Sequence, residues 1–563
     1  MKITRLLLSI GLVISLASCS SSKSASGSNK YHKIAVPAGS STAVVIPAKK
    51  GKMSETELKN WPHADIYTDS VPGMSLKKAY DFLNGKKSTT VILGIADSGI
   101  DINHEDLKDQ AWANTDEIAG NGKDDDKNGY IDDIHGWNFL GGAKGEPAPA
   151  QLEVTRLYKK YKAKYDGKTE DQIAANDKAE YAEYLKIKKD FEKRLDEAKK
   201  SYQYYQSIQA MIVEADKAAQ KALKKKIYTL DDLQKLPADQ QNPILMKILS
   251  SGDTIENAIS QIQKGIDYYG SQVNVMYNLD VKGRHTNDDP DDINDVPYGN
   301  PFVIGSVDDE MHGTHVAGIA LATRNNGIGM NGVADNVKLI VARTVPDGDE
   351  FDKDVALAIR YLVDNGAKVI NMSFGKSYSP HANWVYDAIK YAASKDVLLV
   401  HAAGNDSHNV DLDKYNNYPT DAPDKLNEIA DNVITIGSCT RHYDENLVSG
   451  FSNYGKKNVD IFAPGSEIYS TVPKNKYEFL QGTSMASPEV AGIAVLIRSY
   501  YPQLSASQVK HIIMNSGTKV DLDVNLPGGK GKKAPFSTLS VSGRVVNAYN
   551  AVKMADEMVN GKK

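Results

Sequence analysis

Cysteine is nearly absent from these 563 residues, with only Cys19 and Cys439 present, which excludes a disulfide scaffold or a cysteine-rich zinc protein. Net positive charge is also lacking. Lys and Arg total 67 against 72 for Asp and Glu, a net charge of −5, so no nucleic-acid partner is expected. Beyond the N-terminus no run approaches the roughly 18 apolar residues of a membrane span. Gly and Pro are missing from Lys168 through Leu236, which leaves a long helix free of its usual breakers. What is present, 41% hydrophobic residues, supplies ample core. At about 150 residues per domain the length suggests three or four domains.

At the N-terminus, Lys2 and Arg5 precede an apolar run from Leu6 to Leu16, then Ala17-Ser18-Cys19 and a Ser, Lys, Gly and Asn stretch to Lys30. This is the pattern of a secretory signal. Small residues before a cysteine resemble the lipobox of bacterial lipoproteins, in which the cysteine becomes the lipidated first residue. The resemblance implies a signal peptide over 1–18, a lipid on Cys19, a flexible tether over 19–60, and an exported lipoprotein held at the periplasmic or cell-surface side of a membrane. An ordinary cleaved signal with an incidental cysteine, or a short buried helix, are the alternatives. Cys439, ending the apolar run Val433-Ile-Thr-Ile-Gly-Ser-Cys439, is expected to be a buried structural thiol.

Short apolar runs begin at Val91, Val337, Lys368, Val397 and Asn432 and are expected to be buried parallel strands. Helical patterns lie between or after them, from His315, Lys353, Tyr386, Ala486 and Ala506. The alternation predicts an α/β fold with a doubly wound, mostly parallel sheet. The span from Gln151 to Lys200 differs, with 14 basic and 11 acidic residues among 50. Tyr184, Phe191, Leu195, Ala198, Tyr202, Tyr205 and Ile212 recur at helical spacing, and Ile255, Ala258, Ile259, Ile262 and Ile266 follow a Thr254 cap. A helical hairpin or small bundle with an acidic linker is predicted over 146–285. It is read either as a lid or partner-binding arm, or as a solvated surface elaboration.

Three short motifs and one asparagine carry chemistry. Asp97-Ser98-Gly99 ends the first strand, His312-Gly-Thr-His-Val-Ala-Gly318 enters a helix, and Gly482-Thr-Ser-Met-Ala-Ser-Pro488 leads a turn into an apolar helix. They supply a carboxylate, an imidazole and a hydroxyl where an open sheet places reactive groups. The order Asp, His, Ser excludes an α/β-hydrolase, which needs the acid and then His after Ser. His312 and His315 lack the Glu of a zinc HExxH motif. His315 is expected to pack a helix, and Ser487 to be a helix-start hydroxyl.

These three motifs, in this order, resemble the signatures of the subtilisin-like serine proteases over roughly 61–145 and 286–556. The resemblance implies a subtilisin-like fold and a peptide-hydrolysing triad of Asp97, His312 and Ser484 with no cofactor needed for the chemistry. It also implies an oxyanion asparagine in an Ala-Ala-Gly-Asn segment, which Ala402-Ala403-Gly404-Asn405 supplies. Ser373-Phe374-Gly375, with Gly404, is expected to bind an extended polypeptide substrate by strand addition. Gly348 to Glu350 is the expected opposite wall, its acidity hinting at basic or polar substrate positions within a broad specificity.

Asp124, Asp126, Asn128, Tyr130 and Asp132 follow the odd spacing of a calcium loop, although His135 stands where such a loop has Glu. Structural calcium and a self-satisfied Asx network are the competing expectations. The acidic run 288–295 is expected to be solvated. His312 follows Asp97 by 215 residues, a gap that the insertion explains. The 77 residues between Cys19 and Asp97 leave little room for a folded inhibitory pro-domain, so none is expected. The reading is a lipid-anchored serine endopeptidase of undetermined oligomeric state, with 557–563 as a tail. The alternative is a catalytically silent lipoprotein that uses scaffold and insertion for binding.

Overall fold

A computed structural model describes residues 34–142, 146, 149–305 and 311–561. The signal and Cys19 lie outside these residues. Nine strands form the central sheet: β1 (Val91–Asp97), β2 (Gly136–Asn138), β3 (Val337–Arg343), β4 (Val369–Met372), β5 (Leu398–Ala402), β6 (Val433–Cys439), β7 (Ile461–Pro464), β10 (Thr518–Lys519) and β13 (Arg544–Val545). Their spatial order is β10-β13-β7-β6-β5-β4-β1-β3-β2. Every pair is parallel except β10 with β13. Two hairpins stand outside it, β8 (Ile468–Val472) with β9 (Lys476–Leu480), and β11 (Asp523–Asn525) with β12 (Lys533–Pro535).

Alternate side chains of each strand point to opposite faces, and both faces are apolar, as a doubly covered parallel sheet requires. Leu93, Ile95, Leu339, Val341 and Val400 pack with the helices Met311–Leu321, Thr483–Tyr500 and Ala506–Ser516. Ala96, Ile340, Ile370, Met372 and Leu399 pack against Asp352–Asp364 and Ala382–Ser394. The strand order reverses at β1, which has β3 on one side and β4 on the other. In sheets of this kind a crevice opens there, beyond the carboxyl ends of the strands.

The segment between β2 and β3 is helical. Glu153–Tyr165 leads into a helix of 46 residues, Lys178–Leu223, against which Ile255–Ser271 returns. At 1.5 Å per residue the long helix spans about 70 Å. Tyr184, Ile187 and Phe191 form one small core with Tyr158 and Tyr277 at its base. Ile212, Ala219, Leu233 and Leu245 form another at its far end. Between them Gly265 faces Tyr205, where an added Cβ would lie 2.5 Å from the ring. Glycine lets the two helices approach there.

Three expectations need correction. Residues 34–60 are not a free tether. Val44 is buried and donates its N–H to Lys519 O at 3.0 Å, and Ser54 caps a helix over Glu55–Asn60 that leads into the buried Trp61. The expected tail begins too early, because the last helix, Ala548–Asn560, runs past 557 and keeps Met558 buried. The acidic run is not fully solvated either. Lys353, wholly buried in the Asp352–Asp364 helix, requires a counter-charge, and Asp288 reaches it at 2.6 Å while also pairing with Arg284 at 2.7 Å. Cys439 is a buried free thiol whose pKa burial pushes up. Among the described residues no helix is long and apolar enough to cross a membrane.

Candidate active site

Asp97 is the last residue of β1 and is buried, with 1% of its side chain exposed, whereas the His312 side chain keeps 41%. The carboxylate Oδ1 lies 2.7 Å from His312 Nδ1 and also accepts the Ser98 N–H at 2.8 Å. Oδ2 is buried without a partner among the described residues. Burial works against a charged imidazole, but the charge of Asp97 and its hydrogen bond outweigh this and raise the His312 pKa above its ordinary value. His312 belongs to the helix itself, whose described part runs over Met311–Leu321 and so takes in residues ahead of His315. Gly313 must follow it, because a Cβ there would lie 2.1 Å from Gly99 O. His315 is buried beneath, with Nε2 3.1 Å from both Ile468 O of β8 and Glu478 O of β9. Burial lowers its pKa to about 3, so at neutral pH it is an uncharged tie to the hairpin.

Ser484 is the second residue of the helix Thr483–Tyr500. Pro488 therefore lies inside the helix beyond its first turn, and it has no N–H to offer the carbonyl of Ser484 four residues back. Ser373 Oγ donates to that carbonyl at 2.9 Å instead, and Ser484 Oγ donates to Ser373 O at 3.1 Å. Ser484 is thus clasped to the end of β4. Asn371 Nδ2 donates to Ser373 Oγ at 2.9 Å, and Ser487 Oγ donates to Asn371 Oδ1 at 2.7 Å. Ser487 is fully buried and ties helix to sheet. Among the described residues no hydrogen bond joins Ser484 to His312.

Asn405 follows β5. Its Oδ1 accepts the Thr483 N–H at 2.9 Å and the Thr483 hydroxyl at 3.0 Å. This fixes the amide so that Nδ2 faces the Gly482 turn. Of the first N–H groups of that helix, Thr483 is bound by Asn405 and Met485 by Gly482 O, so the Ser484 N–H and Asn405 Nδ2, both facing the Gly482 turn, are the donors suited to a developing oxyanion.

Asp97, His312, Ser484 and Asn405 line one cleft of about 500 Å³, together with Ser373, Phe374, Gly375 and Gly404. The Phe374 carbonyl accepts His401 Nε2 at 2.9 Å, an interaction internal to the fold. Gly375, exposed, makes no backbone hydrogen bond among the described residues. It is the part of this segment left open to an added strand. The opposite wall contains Gly348 and Glu350, but Asp349 and Glu350 turn inward. Asp349 accepts the Glu153 N–H at 2.8 Å. Glu350 is 2% exposed, and burial pushes its pKa up to about 8, with Asp349 adding to the rise and Lys376 opposing it. Asp349 and Glu350 are therefore engaged with the base of the insertion, and the exposed Asp347 beside them is the acid of this wall that lines the cleft.

Sequence reasoning missed Asn417, Asp406 and Tyr268, which also line the cleft. Asn417 orients itself by donating to Ala402 O at 2.9 Å, and its loop carries no motif. Tyr268 comes from the insertion, off the apolar stripe of its helix, and nothing in that stripe marks it.

The calcium-loop residues Asp124, Asp126, Asn128, Tyr130 and Asp132 lie outside this cleft. Asp124 accepts the N–H groups of Asn128 and Gly129 at 3.0 and 2.9 Å, and Asp132 those of Asn121 and Gly122 at 3.1 and 2.9 Å. The loop thus satisfies much of its own backbone. Glu117, absent from the expected set, joins Asp124 and Asp126 with carboxylate oxygens within 4.8 Å of one another.

Residues 88–532 match the model of the subtilase family. "Subtilisin-like protease 1" of Plasmodium vivax is 34% identical over 281 residues, 46% of this chain and 44% of that protein. Thermitase of Thermoactinomyces vulgaris is 37% identical over 243 residues, 43% of this chain and 75% of that protein. A solved protease of Pseudoalteromonas arctica shares 30% identity at a TM-score of 0.35, covering 43% of this chain and 70% of that one. The chain thus spans less than half the length of the Plasmodium relative it matches.

The Asp97 contact predicts the titration of His312. In an NMR titration its imidazole should protonate above the ordinary 6.5, Asp97→Asn should lower that midpoint, and His315 should stay neutral until far lower pH. A His312 midpoint unmoved by Asp97→Asn would contradict the pairing.

Proposed function

Because this chain belongs to the subtilase family, we propose that it is a serine endopeptidase that cleaves polypeptides through an acyl-enzyme on Ser484. The observation that carries this reading is the 2.7 Å contact between Asp97 and His312 Nδ1, in the same cleft as Ser484 and Asn405. Ser484 Oγ attacks the peptide carbonyl while His312 takes its proton, and His312 then gives that proton to the leaving amine. The hydroxyl must leave Ser373 O to do so, a tightening of catalytic hydrogen bonds common when substrate binds. Asp97 holds the imidazole in the required tautomer and stabilises its cationic form. Asn405 Nδ2 and the Ser484 N–H receive the oxyanion. An extended substrate adds to the edge at Gly375. Water repeats the proton transfers to release the acyl group.

The proposal includes a membrane address. The Ala17-Ser18-Cys19 segment supports lipid attachment at Cys19, each buried acyl CH₂ contributing about 0.8 kcal/mol. The folded chain from residue 34 onward then stands at the periplasmic or cell-surface side. It also includes a structural calcium ion held by Glu117, Asp124 and Asp126. Their mutual repulsion is offset by no Lys or Arg ion pair among the described residues, and a divalent cation would relieve it.

Ser484→Ala should abolish casein hydrolysis, and Asn405→Ala should lower kcat by about 10²–10³; hydrolysis equal to wild type in Ser484→Ala would overturn the assignment. Chelator should lower the thermal midpoint, and an unchanged midpoint removes calcium from the account. Cys19→Ser should move the protein from the membrane to the soluble fraction, whereas continued membrane retention would count against the anchor.

A further inference from the structure

The insertion is rooted in the walls of the catalytic cleft. Lys376, just beyond the Gly375 edge, has 2% of its side chain exposed and pairs with Glu153 at 2.9 Å and Asp352 at 2.8 Å. Arg156 holds Glu153 at 2.5 Å and donates to the carbonyls of Asp349 and Glu350 at 2.9 and 3.1 Å. One helix of the insertion then brings two adjacent tyrosines to the catalytic domain. Tyr268 lines the cleft, and Tyr269 lines a second, larger groove of about 710 Å³. Asp406 lines both, so the groove lies directly beside the cleft.

The groove runs between the long helix and the 406–416 loop. Lys186, Lys189, Lys193 and Arg194 stand on the helix side and Lys414 on the other. Two acids on the helix side are already engaged. Asp190 is held by Arg194 at 3.0 Å and by Tyr378 at 2.9 Å, and Glu197 lies 3.8 Å from Lys193. Lys186, Lys189 and Lys414 make no ion pair among the described residues and are exposed. Asp406 and Asp413 are the acids of the loop side. His408, stacked on Tyr415 at 3.7 Å, registers the field: burial lowers its pKa, Asp406 opposes, and Arg194, Lys414 and Lys193 lower it further. The helix wall is therefore a cationic surface leading out of the cleft.

We propose that the insertion is a substrate-recognition arm: a polypeptide leaving the catalytic cleft passes Tyr268 and lies in this groove, with acidic side chains against Lys186 and Lys189. The proposal rests on the endopeptidase reading. An extended chain advances about 3.3 Å per residue, so a few residues beyond the cleft suffice to enter the groove. Exposed ion pairs are individually weak; their effect here is selectivity between long substrates.

The test uses the full chain and fluorogenic peptides that share one cleavable core, either alone or extended at either end by four acidic or four basic residues. An acidic extension at one end should raise kcat/KM about threefold to tenfold, the size of two or three exposed ion pairs. A basic extension should not. The gain should vanish in the double variant Lys186→Glu/Lys189→Glu, and for wild type in about 1 M salt, where charges are screened beyond about 3 Å. Equal kcat/KM for core and acidic peptides, or a gain that survives both the double variant and salt, would overturn the proposal. Fluorescence anisotropy of the labelled acidic peptide on Ser484→Ala reads the groove without cleavage. Binding there without wild-type cleavage would refute the endopeptidase reading and keep the groove, and the reverse result would refute the groove alone.

Discussion

The clasp between Ser373 and Ser484 is the constraint on which the rest of the site depends. Pro488 leaves the Ser484 carbonyl without its helical donor, and Ser373 Oγ supplies one at 2.9 Å. An unmet buried carbonyl would cost about 1–3 kcal/mol, so the helix start has one favourable seat, over the carboxyl end of β4. The Ser487–Asn371 bond beneath, at 2.7 Å, repeats the attachment one turn on. Once that helix is seated, Thr483 orients the Asn405 amide, and the Ser484 hydroxyl and the Asn405 Nδ2 are positioned by the same few hydrogen bonds.

A second set of attachments joins the insertion to this core. Lys376 follows directly on the Ser373-Phe374-Gly375 segment, and its buried ion pairs with Glu153 and Asp352 bind the base of the insertion to one wall of the cleft while Arg156 binds it to the other. Removing one partner of a buried pair is strongly destabilising, since it leaves the other charge uncompensated. The insertion therefore cannot shift far without disturbing the cleft. A long, highly charged helix that looks independent in composition is in structure joined to the walls of the cleft.

The sheet and the side chains that meet in the cleft were legible in the sequence because both are dictated locally. A buried parallel strand needs a short apolar run, and general-base chemistry needs particular side chains beside small residues, such as Gly313 next to Gly99 O. Helix starts are read three or four residues late at His315, Tyr386 and Ala486, whose helices already include Met311, Ala382 and Thr483, because polar and small residues open those helices and the apolar period begins only afterwards. β7 ends in proline, and β9 carries exposed residues; neither has the pattern of a buried strand. The inward turn of Asp349 and Glu350 was not legible, since Arg156 and Lys376, which bind their carbonyls, are close only in space. Tyr268 was hidden for the same reason. Asp97 and Ser484 line one cleft, so the length expected to hold three or four domains is largely one catalytic-type fold interrupted by the insertion.

The central claim is that this arrangement makes one serine, among the many in the chain, a nucleophile. It is tested most directly by treating the folded protein with a fluorophosphonate and mapping the adduct by mass spectrometry. The account predicts a single rapid adduct on Ser484, lost in His312→Ala while the fold persists. Labelling of another serine, or labelling of Ser484 at an unchanged rate without His312, would contradict it.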